Sequence, residues 1–435
     1  DDISYAVSGL LDENMGDTCP QGIIDALPDY TADEIREAYD ELYELKKAGQ
    51  LFAQDDYIDV SRYIPVNAPV KALCLHVAHD CNLRCKYCFA STGDFGQGRK
   101  IMPPEIAKKA IDFVIARSGV RHNIEVDFFG GEPLMAWDTV TQTVDYARSL
   151  EEKYNKKFRF TLTTNGLLLD EDKRKYINEN MDNCVLSLDG RREVNDEFRK
   201  TVAGTGSYDT IVPKFKALVD ERDPNLDYYA RGTFTSHNLD FAEDVLSIAD
   251  AGFDRLSVEP VTADPGCGYD LTEDDLPKIE AEYDRLTDIM LERKKEGKPF
   301  TFFHFMVDLD QGPCVVKRLR GCGAGYEYVA VTPDGDIYPC HQFVGKDEFK
   351  QGSVLDQSFN MDIAQKFAGM NIYSRPKCQK CWAKFYCSGG CSAANYNMNH
   401  DMNDSYDLGC KMERKRLECA IYLKAMDKIC ANQSK

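Results

Sequence analysis

The chain is predicted to be an α/β protein in which six β-α repeats build a parallel sheet, open or curled into part of a barrel. A small helical unit precedes the sheet and a cysteine-rich segment follows it. Three observations predict this. Strand-like and helix-like stretches alternate from about residue 72 to residue 297. The first 60 residues carry helical periodicity with capping signals. Seven of the 17 cysteines crowd between Cys322 and Cys410, where regular periodicity fades.

Residues 1–62 form the first unit. Ile3, Val7, Leu10 and Leu11 share one helical face. In "TADEIREAYDELYELKKAG" (31–49), Thr31 and Glu34 make a capping box, Ile35, Tyr39 and Leu42 make the apolar stripe, and Gly49 marks the stop. "QLFAQDDYIDV" (50–60) then suggests two short strands around a turn, which makes the unit winged-helix-like. Such units often bind DNA, but 16 acidic and three basic side chains in residues 1–60 argue against a polyanionic partner. The plain alternative is a solvated helical cap. Pro65 and Pro69 in "RYIPVNAPV" mark a linker.

The sheet strands are expected at 72–78, 124–130, 158–164, 184–190, 228–235 and 255–261. Helices at 103–118, 138–152, 208–220 and 238–251 lie between them, so the crossovers should be right-handed. Functional residues are then expected just past the strands' C-terminal ends. Four unusual loops fall there: the cysteines from Cys81, "FFGGEP" (128–133), "TTNG" (163–166) and "SLDG" (187–190). Each alone could be an ordinary turn; their shared rim is the stronger signal. One long charged helix is expected over 273–297. The segment from about 312 lacks an obvious apolar core and should need metal to hold it together. A helix over 411–430 closes the chain, with Cys419 and Cys430 as ordinary side chains.

The whole chain sets limits on partners. Of its 435 residues, 53 are Lys or Arg and 73 are Asp or Glu, a net charge of −20. Such a surface repels nucleic acid and anionic lipid. No apolar run approaches the ~20 residues of a membrane span. The chain begins Asp1-Asp2-Ile3 without a Met, as a trimmed or partly ordered chain would. A long, charged, cytoplasmic chain with this many cysteines points to metal or redox use, not to a disulfide scaffold.

"HDCNLRCKYCFA" (79–90) spaces Cys81, Cys85 and Cys88 as Cys-x3-Cys-x2-Cys. Each iron of a four-iron, four-sulfur cluster wants one terminal ligand, usually a thiolate. Three cysteines therefore leave one iron free to bind a small molecule through nitrogen and oxygen. A zinc site completed by His79 is the alternative, and the strand-loop context suits it less.

With Tyr87 before the last cysteine, the motif resembles that of the radical S-adenosylmethionine (SAM) enzymes. The resemblance implies a partial (β/α)6 TIM-like barrel over residues 63–300. It also implies that SAM chelates the open iron and is cleaved reductively to methionine and a 5′-deoxyadenosyl radical, which takes a substrate hydrogen. Gly130, Gly131 and Glu132 (with Pro133) match the loop that meets the SAM amino group, and Asn165 and Ser187 match positions near the ribose and carboxylate. Arg199 is a carboxylate partner by its bidentate fork, with Arg231 as rival.

The later cysteines resemble the SPASM extension of peptide-modifying members, over residues 301–410, with the helix 411–435 after it. By that pattern Cys322, Cys340 and Cys391 hold one auxiliary [4Fe–4S] cluster and Cys378, Cys381, Cys387 and Cys410 a second, making three clusters in all. Cys314 either completes the first or leaves it an open iron. A zinc ribbon at Cys378 and Cys381 is the alternative.

"GCGAGYEYVAVTPDGDIYPCHQFVG" (321–345) and residues 1–60 resemble the maturases of the six-cysteines-in-forty-five-residues (SCIFF) peptides, which join a cysteine sulfur to carbon as a thioether. The resemblance implies a ribosomally made, Cys-rich precursor peptide with a leader as substrate. It also implies an external flavodoxin- or ferredoxin-type electron donor, and an N-terminal recognition element that lacks its first strands here. Sulfatase maturases, which make formylglycine, and other SPASM crosslinking maturases are the rival readings. An electron carrier that never cleaves SAM is the rival of another class. No side-chain base stands out.

Overall fold

The computed structural model describes residues 2–55, 57–59, 68–309 and 314–433. It contains two compact units, Asp1–Ile64 and Pro65–Lys435. In the first, α1 (Asp2–Ser8), α2 (Gln21–Ala26) and α3 (Ala32–Lys47) enclose a small core of Val7, Met15, Ile23, Ile35, Tyr39 and Leu42. The capping box forms: Glu34 N–H donates to Thr31 Oγ1 at 3.3 Å, and Thr31 N–H donates to the Glu34 carboxylate at 2.9 Å.

The two short strands expected over 50–60 are not present among the described residues; Tyr57–Asp59 are helical instead. The cause lies at the end of α3. Gly49 takes a left-handed φ of 69°, and the N–H groups of Gln50 and Leu51 fold back onto the Leu45 carbonyl at 2.9 and 3.2 Å. Those donors close the helix, and Leu51 packs onto its core, so neither is free to start a hairpin. Most of the expected linker, residues 62–67, lies outside the described residues.

The second unit is built on β1 (Ala72–His79), β2 (Leu83–Cys85), β3 (Lys100–Ile101), β4 (Asn123–Gly130), β5 (Lys157–Thr164), β6 (Asn183–Ser187), β7 (Arg199–Thr201), β8 (Asp227–Phe234), β9 (Arg255–Pro260) and β10 (Thr301–Phe302). The cysteine-rich part adds β11 (Tyr328–Val331), β12 (Asp336–Tyr338), β13 (Gly352–Ser353) and β14 (Ser358–Phe359). The main sheet runs β10-β9-β8-β6-β5-β4-β1-β11-β12-β13-β14, with β3 beside β1, and is parallel from β10 through β11. β2 and β7 form a separate antiparallel ribbon.

Burial alternates along β4, β5 and β8, whereas β1 is buried at every position. On β5, Phe158, Phe160 and Leu162 are fully buried beneath the helices, while Arg159, Thr161 and Thr163 face the other way and stay partly accessible. β8 repeats the pattern with Tyr228, Ala230 and Phe234 against Tyr229, Arg231 and Thr233. Parallel strands covered on both faces read as continuous apolar runs. On β5 and β8 the outer, helix-covered face is apolar, and Thr163, Arg231 and Thr233 on the inner face line a polar lumen. Phe128, Phe158 and Phe160 stack in the outer layer, where truncating one to Ala costs about 3–5 kcal/mol.

The cysteine-rich segment does have an apolar core, contrary to the expectation. Tyr326, Tyr338, Phe343, Phe349 and Phe367 pack together with Ala330 and Ala364. These side chains come from short, irregularly spaced elements, so no single window shows a period. β11 lays this segment against β1 of the sheet. Among the described residues no helix is long and apolar enough to cross a membrane.

Candidate active site

The loops that follow β1, β4, β5 and β6 meet at one rim around a cavity of about 250 Å³. Its wall contains Cys81, Cys85, Cys88 and Tyr87, together with Gly130, Gly131, Glu132, Asn165, Ser187 and Arg199. All ten residues predicted for this cluster and its SAM contacts thus stand at one place.

The cysteine loop is held by close backbone contact. A Cβ on Gly131 would lie 2.1 Å from the Asp80 carbonyl oxygen, and one on Gly130 would lie 2.2 Å from that of Ala78. Gly93, at a φ of +94°, faces Cys81 Cβ at 2.6 Å on the same measure. The glycine pair therefore seats the cysteine loop as well as lining the cavity.

Glu132 is a buried bracket. Its carboxylate accepts from Leu134 N–H at 3.0 Å, Thr164 Oγ1 at 2.7 Å and Asn165 N–H at 2.8 Å, joining the second and third rim loops. Burial pushes its pKa up, against those hydrogen bonds. Asn165 in turn donates from Nδ2 to Asn82 Oδ1 at 2.8 Å and to Cys81 Sγ at 3.6 Å. Leu83 N–H also donates to Cys81 Sγ, at 3.4 Å. Such bonds favour the thiolate over the thiol.

A buried trio of side chains backs the cavity. The Tyr87 hydroxyl lies 2.8 and 2.6 Å from the two Asp189 oxygens, to which it donates, and accepts from Arg199 Nη1 at 3.0 Å. The β2–β7 ribbon sets this up by pairing Cys85 with Arg199. Burial pushes Asp189 up to about 6, with Arg199 opposing. Sequence reasoning placed Asp189 in a rim loop without giving it a role; its position directly past β6 was the available signal. β7 is too short to show a period.

The two arginine candidates differ. Arg199 is buried, and its Nε has no hydrogen-bond partner among the described residues. Arg231 lines the same cavity but is paired with Glu259. An orphaned, buried N–H beside the cysteines suits an incoming carboxylate.

Burial pushes the thiols up, Cys81 to about 12 and Cys85 to about 11. They ionise when a metal takes the proton's place. Among the described residues no three His, Cys, Asp or Glu side chains close on one ion. The rim cysteines are instead spread around a cavity, as ligands at the corners of a multi-iron cluster are. Donor chemistry, spacing and the Arg199 Nε together fit a cluster with SAM.

The later cysteines gather in two places. Cys378, Cys381, Cys387 and Cys410 line a second cavity of about 160 Å³, with Glu413 and Arg414 in its wall. Cys340 interacts with Cys391 and Cys322, and burial pushes its thiol up to about 12. Cys314 is exposed, capping the helix Val315–Arg320. Cys419 is buried in the core of the second unit and Cys430 is exposed. The residues after Cys340, His341 and Gln342, reach the wall of the first cavity. His341 was not singled out by sequence; only its adjacency to Cys340 hinted at it.

The Radical SAM superfamily profile matches residues 75–229, and that of the SPASM iron-sulfur cluster-binding domain matches residues 322–382. A cysteine-type anaerobic sulfatase-maturating enzyme of Clostridium novyi is 25% identical over 334 residues, covering 72% of this chain and 85% of that one. The structure of anSMEcpe with bound AdoMet and Cp18Cys peptide has a TM-score of 0.66 at 21% identity, covering 82% of this chain and 99% of that one. That of Streptococcus suis SuiB bound to precursor peptide SuiA has a TM-score of 0.55 at 18% identity, covering 89% and 86%. The chain thus carries a radical SAM domain on a parallel α/β sheet, joined to a SPASM iron–sulfur cluster-binding domain.

Proposed function

We propose that this enzyme installs thioether links, cysteine sulfur to carbon, in a ribosomally made, cysteine-rich precursor peptide. One observation carries the reading. The first cavity is walled on one side by Cys81, Cys85 and Cys88 and on another by His341 and Gln342, directly after Cys340. A peptide held there lies between the rim cysteines and the first auxiliary set, Cys322, Cys340 and Cys391.

When bound, the rim cluster and SAM supply a deoxyadenosyl radical that removes one hydrogen atom from the peptide. The chain's own residues do the placing. Cys81, Cys85 and Cys88 hold the cluster. Arg199 takes the SAM carboxylate through its unpartnered Nε, and Asn165 and Ser187 flank it. Glu132 and Tyr87 fix the loops that position these groups. Arg231 and Glu259 form the wall facing the peptide. Burial pushes His341 down to about 4, so at neutral pH its ring is uncharged. Each link would remove one hydrogen atom from carbon and one proton from sulfur, and the auxiliary clusters, when bound, would take up the remaining electron. We assign those clusters to Cys322, Cys340 and Cys391, a set that would leave one iron open to the substrate sulfur, and to Cys378, Cys381, Cys387 and Cys410. A flavodoxin- or ferredoxin-type donor in the cytoplasm supplies the electron that starts each cycle.

The similarity to a sulfatase-maturating enzyme favours a second reading, oxidation of a cysteine to formylglycine. Anaerobic incubation of the reduced protein with SAM and a leader-bearing Cys-rich peptide separates the two. The thioether reading expects a loss of two hydrogens per link and a cysteine that no longer alkylates. An aldehyde trapped by hydrazine, with no crosslink, supports formylglycine instead.

A further inference from the structure

Arg375 is 3% exposed, and its charge is unmatched by any carboxylate ion pair among the described residues. Its Nη1 donates to the Gly389 carbonyl at 2.5 Å and its Nη2 to Ser392 Oγ at 2.8 Å, while its Nε is buried without a partner. Both acceptors are neutral. A lone buried cation is costly unless an anion answers it.

The surroundings show where that anion belongs. The Arg375 guanidinium lies within electrostatic reach of four cysteines, Cys378 and Cys387 of the second auxiliary set and Cys322 and Cys391 of the first, whose thiolates would favour its charge. Its backbone carbonyl accepts from Cys378 N–H at 3.0 Å, so the residue leads directly into the second set. Its two hydrogen-bonded partners, Gly389 and Ser392, bracket Cys391 of the first. A Cβ on Gly389 would stand 2.2 Å from Nη1, so the absence of a side chain there gives the guanidinium its seat. Once these cysteines bind iron they are thiolates, and the cation between them is answered from both sides.

We propose that Arg375 is the shared counter-cation of the two auxiliary clusters, raising the reduction potential of both. The proposal rests on the reading of the seven later cysteines as ligands of two clusters. A fixed positive charge favours the more negative, reduced form of a nearby cluster. One cation placed between two clusters therefore makes each a better acceptor of the electron released when a link closes. Arg375 is a positioning residue: its guanidinium holds Gly389 and Ser392 on either side of Cys391 and contacts no part of the peptide cavity.

The test uses the full chain, reconstituted with iron and sulfide without oxygen, as wild type, Arg375→Gln and Arg375→Lys. Iron and sulfide content is measured first, and reductive titration is then followed by EPR, with SAM added to mark the rim cluster's signal. The expected result is a lower potential for both auxiliary clusters in Arg375→Gln, an unchanged rim cluster, and near wild-type values in Arg375→Lys. Unchanged auxiliary potentials in Arg375→Gln, a shift confined to one cluster, or an equal shift in Arg375→Lys overturns the proposal. If Arg375→Gln does not retain the auxiliary iron, Arg375→Lys decides: retention at wild-type potentials supports the charge role, and loss shows that only the fork's packing matters. If wild type itself holds iron for the rim cluster alone, the two-cluster reading fails, and the proposal with it.

Discussion

The sheet and the cysteine-rich segment reach order by different means. On β4, β5 and β8 every second side chain is buried against helices, giving one continuous apolar layer that needs no metal. From Cys322 to Cys410 the elements are short, such as Pro376–Gln379 and Lys384–Cys387, and the apolar core is small. Seven thiols and a lone arginine sit where more apolar packing would otherwise be. The comparison teaches that a rim cluster would be added to a scaffold already folded, whereas the later cysteines, on binding iron, would complete theirs.

The sharpest way to break that contrast is to remove the iron. Anaerobic chelation should leave amide protection in β4 and β5 nearly intact while residues 376–410 exchange as an open chain, read by hydrogen exchange and mass spectrometry. Equal loss in both regions would erase the distinction. Next in size is Cys85→Ala, expected to abolish deoxyadenosine formation while the auxiliary EPR signals and the thermal transition stay as in wild type. If the auxiliary clusters are lost too, the two sites are not independent.

A smaller effect is expected at the bracket between rim loops. Glu132→Gln leaves one of its three donors poorly answered, costing about 1–3 kcal/mol, and loosens the turn carrying Asn165. SAM affinity, followed by EPR titration, should fall on the order of tenfold. An unchanged affinity would remove Glu132 from the positioning role.

The smallest effect concerns Asp127 on the inner face, whose carboxyl burial pushes up to about 7, with Glu125 adding to the shift. Between its ordinary value and about 7, the folded chain keeps a proton that the unfolded chain has released. Stability therefore falls as pH rises through that window. Urea midpoints from pH 5.5 to 7.5 should show a decline on the order of 1 kcal/mol that Asp127→Asn abolishes. A matching slope in the variant would place the titration elsewhere.

Much of this was legible in the sequence because cysteine spacing and rim loops are local signals. Cys81, Cys85 and Cys88, the Gly130-Gly131 turn and Asn165-Gly166 each carry their chemistry within a few residues. The polar lumen went unread, although the alternation Phe158-Arg159-Phe160-Thr161-Leu162-Thr163 carries it, since a parallel strand covered on both faces would not show it. What stayed hidden depends on distant pairing. The β2–β7 ribbon joins Cys85 to a residue 114 positions later, and nothing near Arg199 announces it. The aromatic cluster around Phe343 and Phe367 is assembled from single residues on separate turns. At residues 50–60 a strand-like composition yielded to the closure of the preceding helix by Gly49.

The central claim is that one loop's three thiolates leave one iron open to SAM. Electron–nuclear double resonance on the reduced protein, with SAM carrying nitrogen-15 in its amino group and oxygen-17 in its carboxylate, tests it most directly. The account predicts hyperfine coupling of both labels to a single cluster, lost in Cys85→Ala. An intact, reduced cluster that couples to neither label would contradict it.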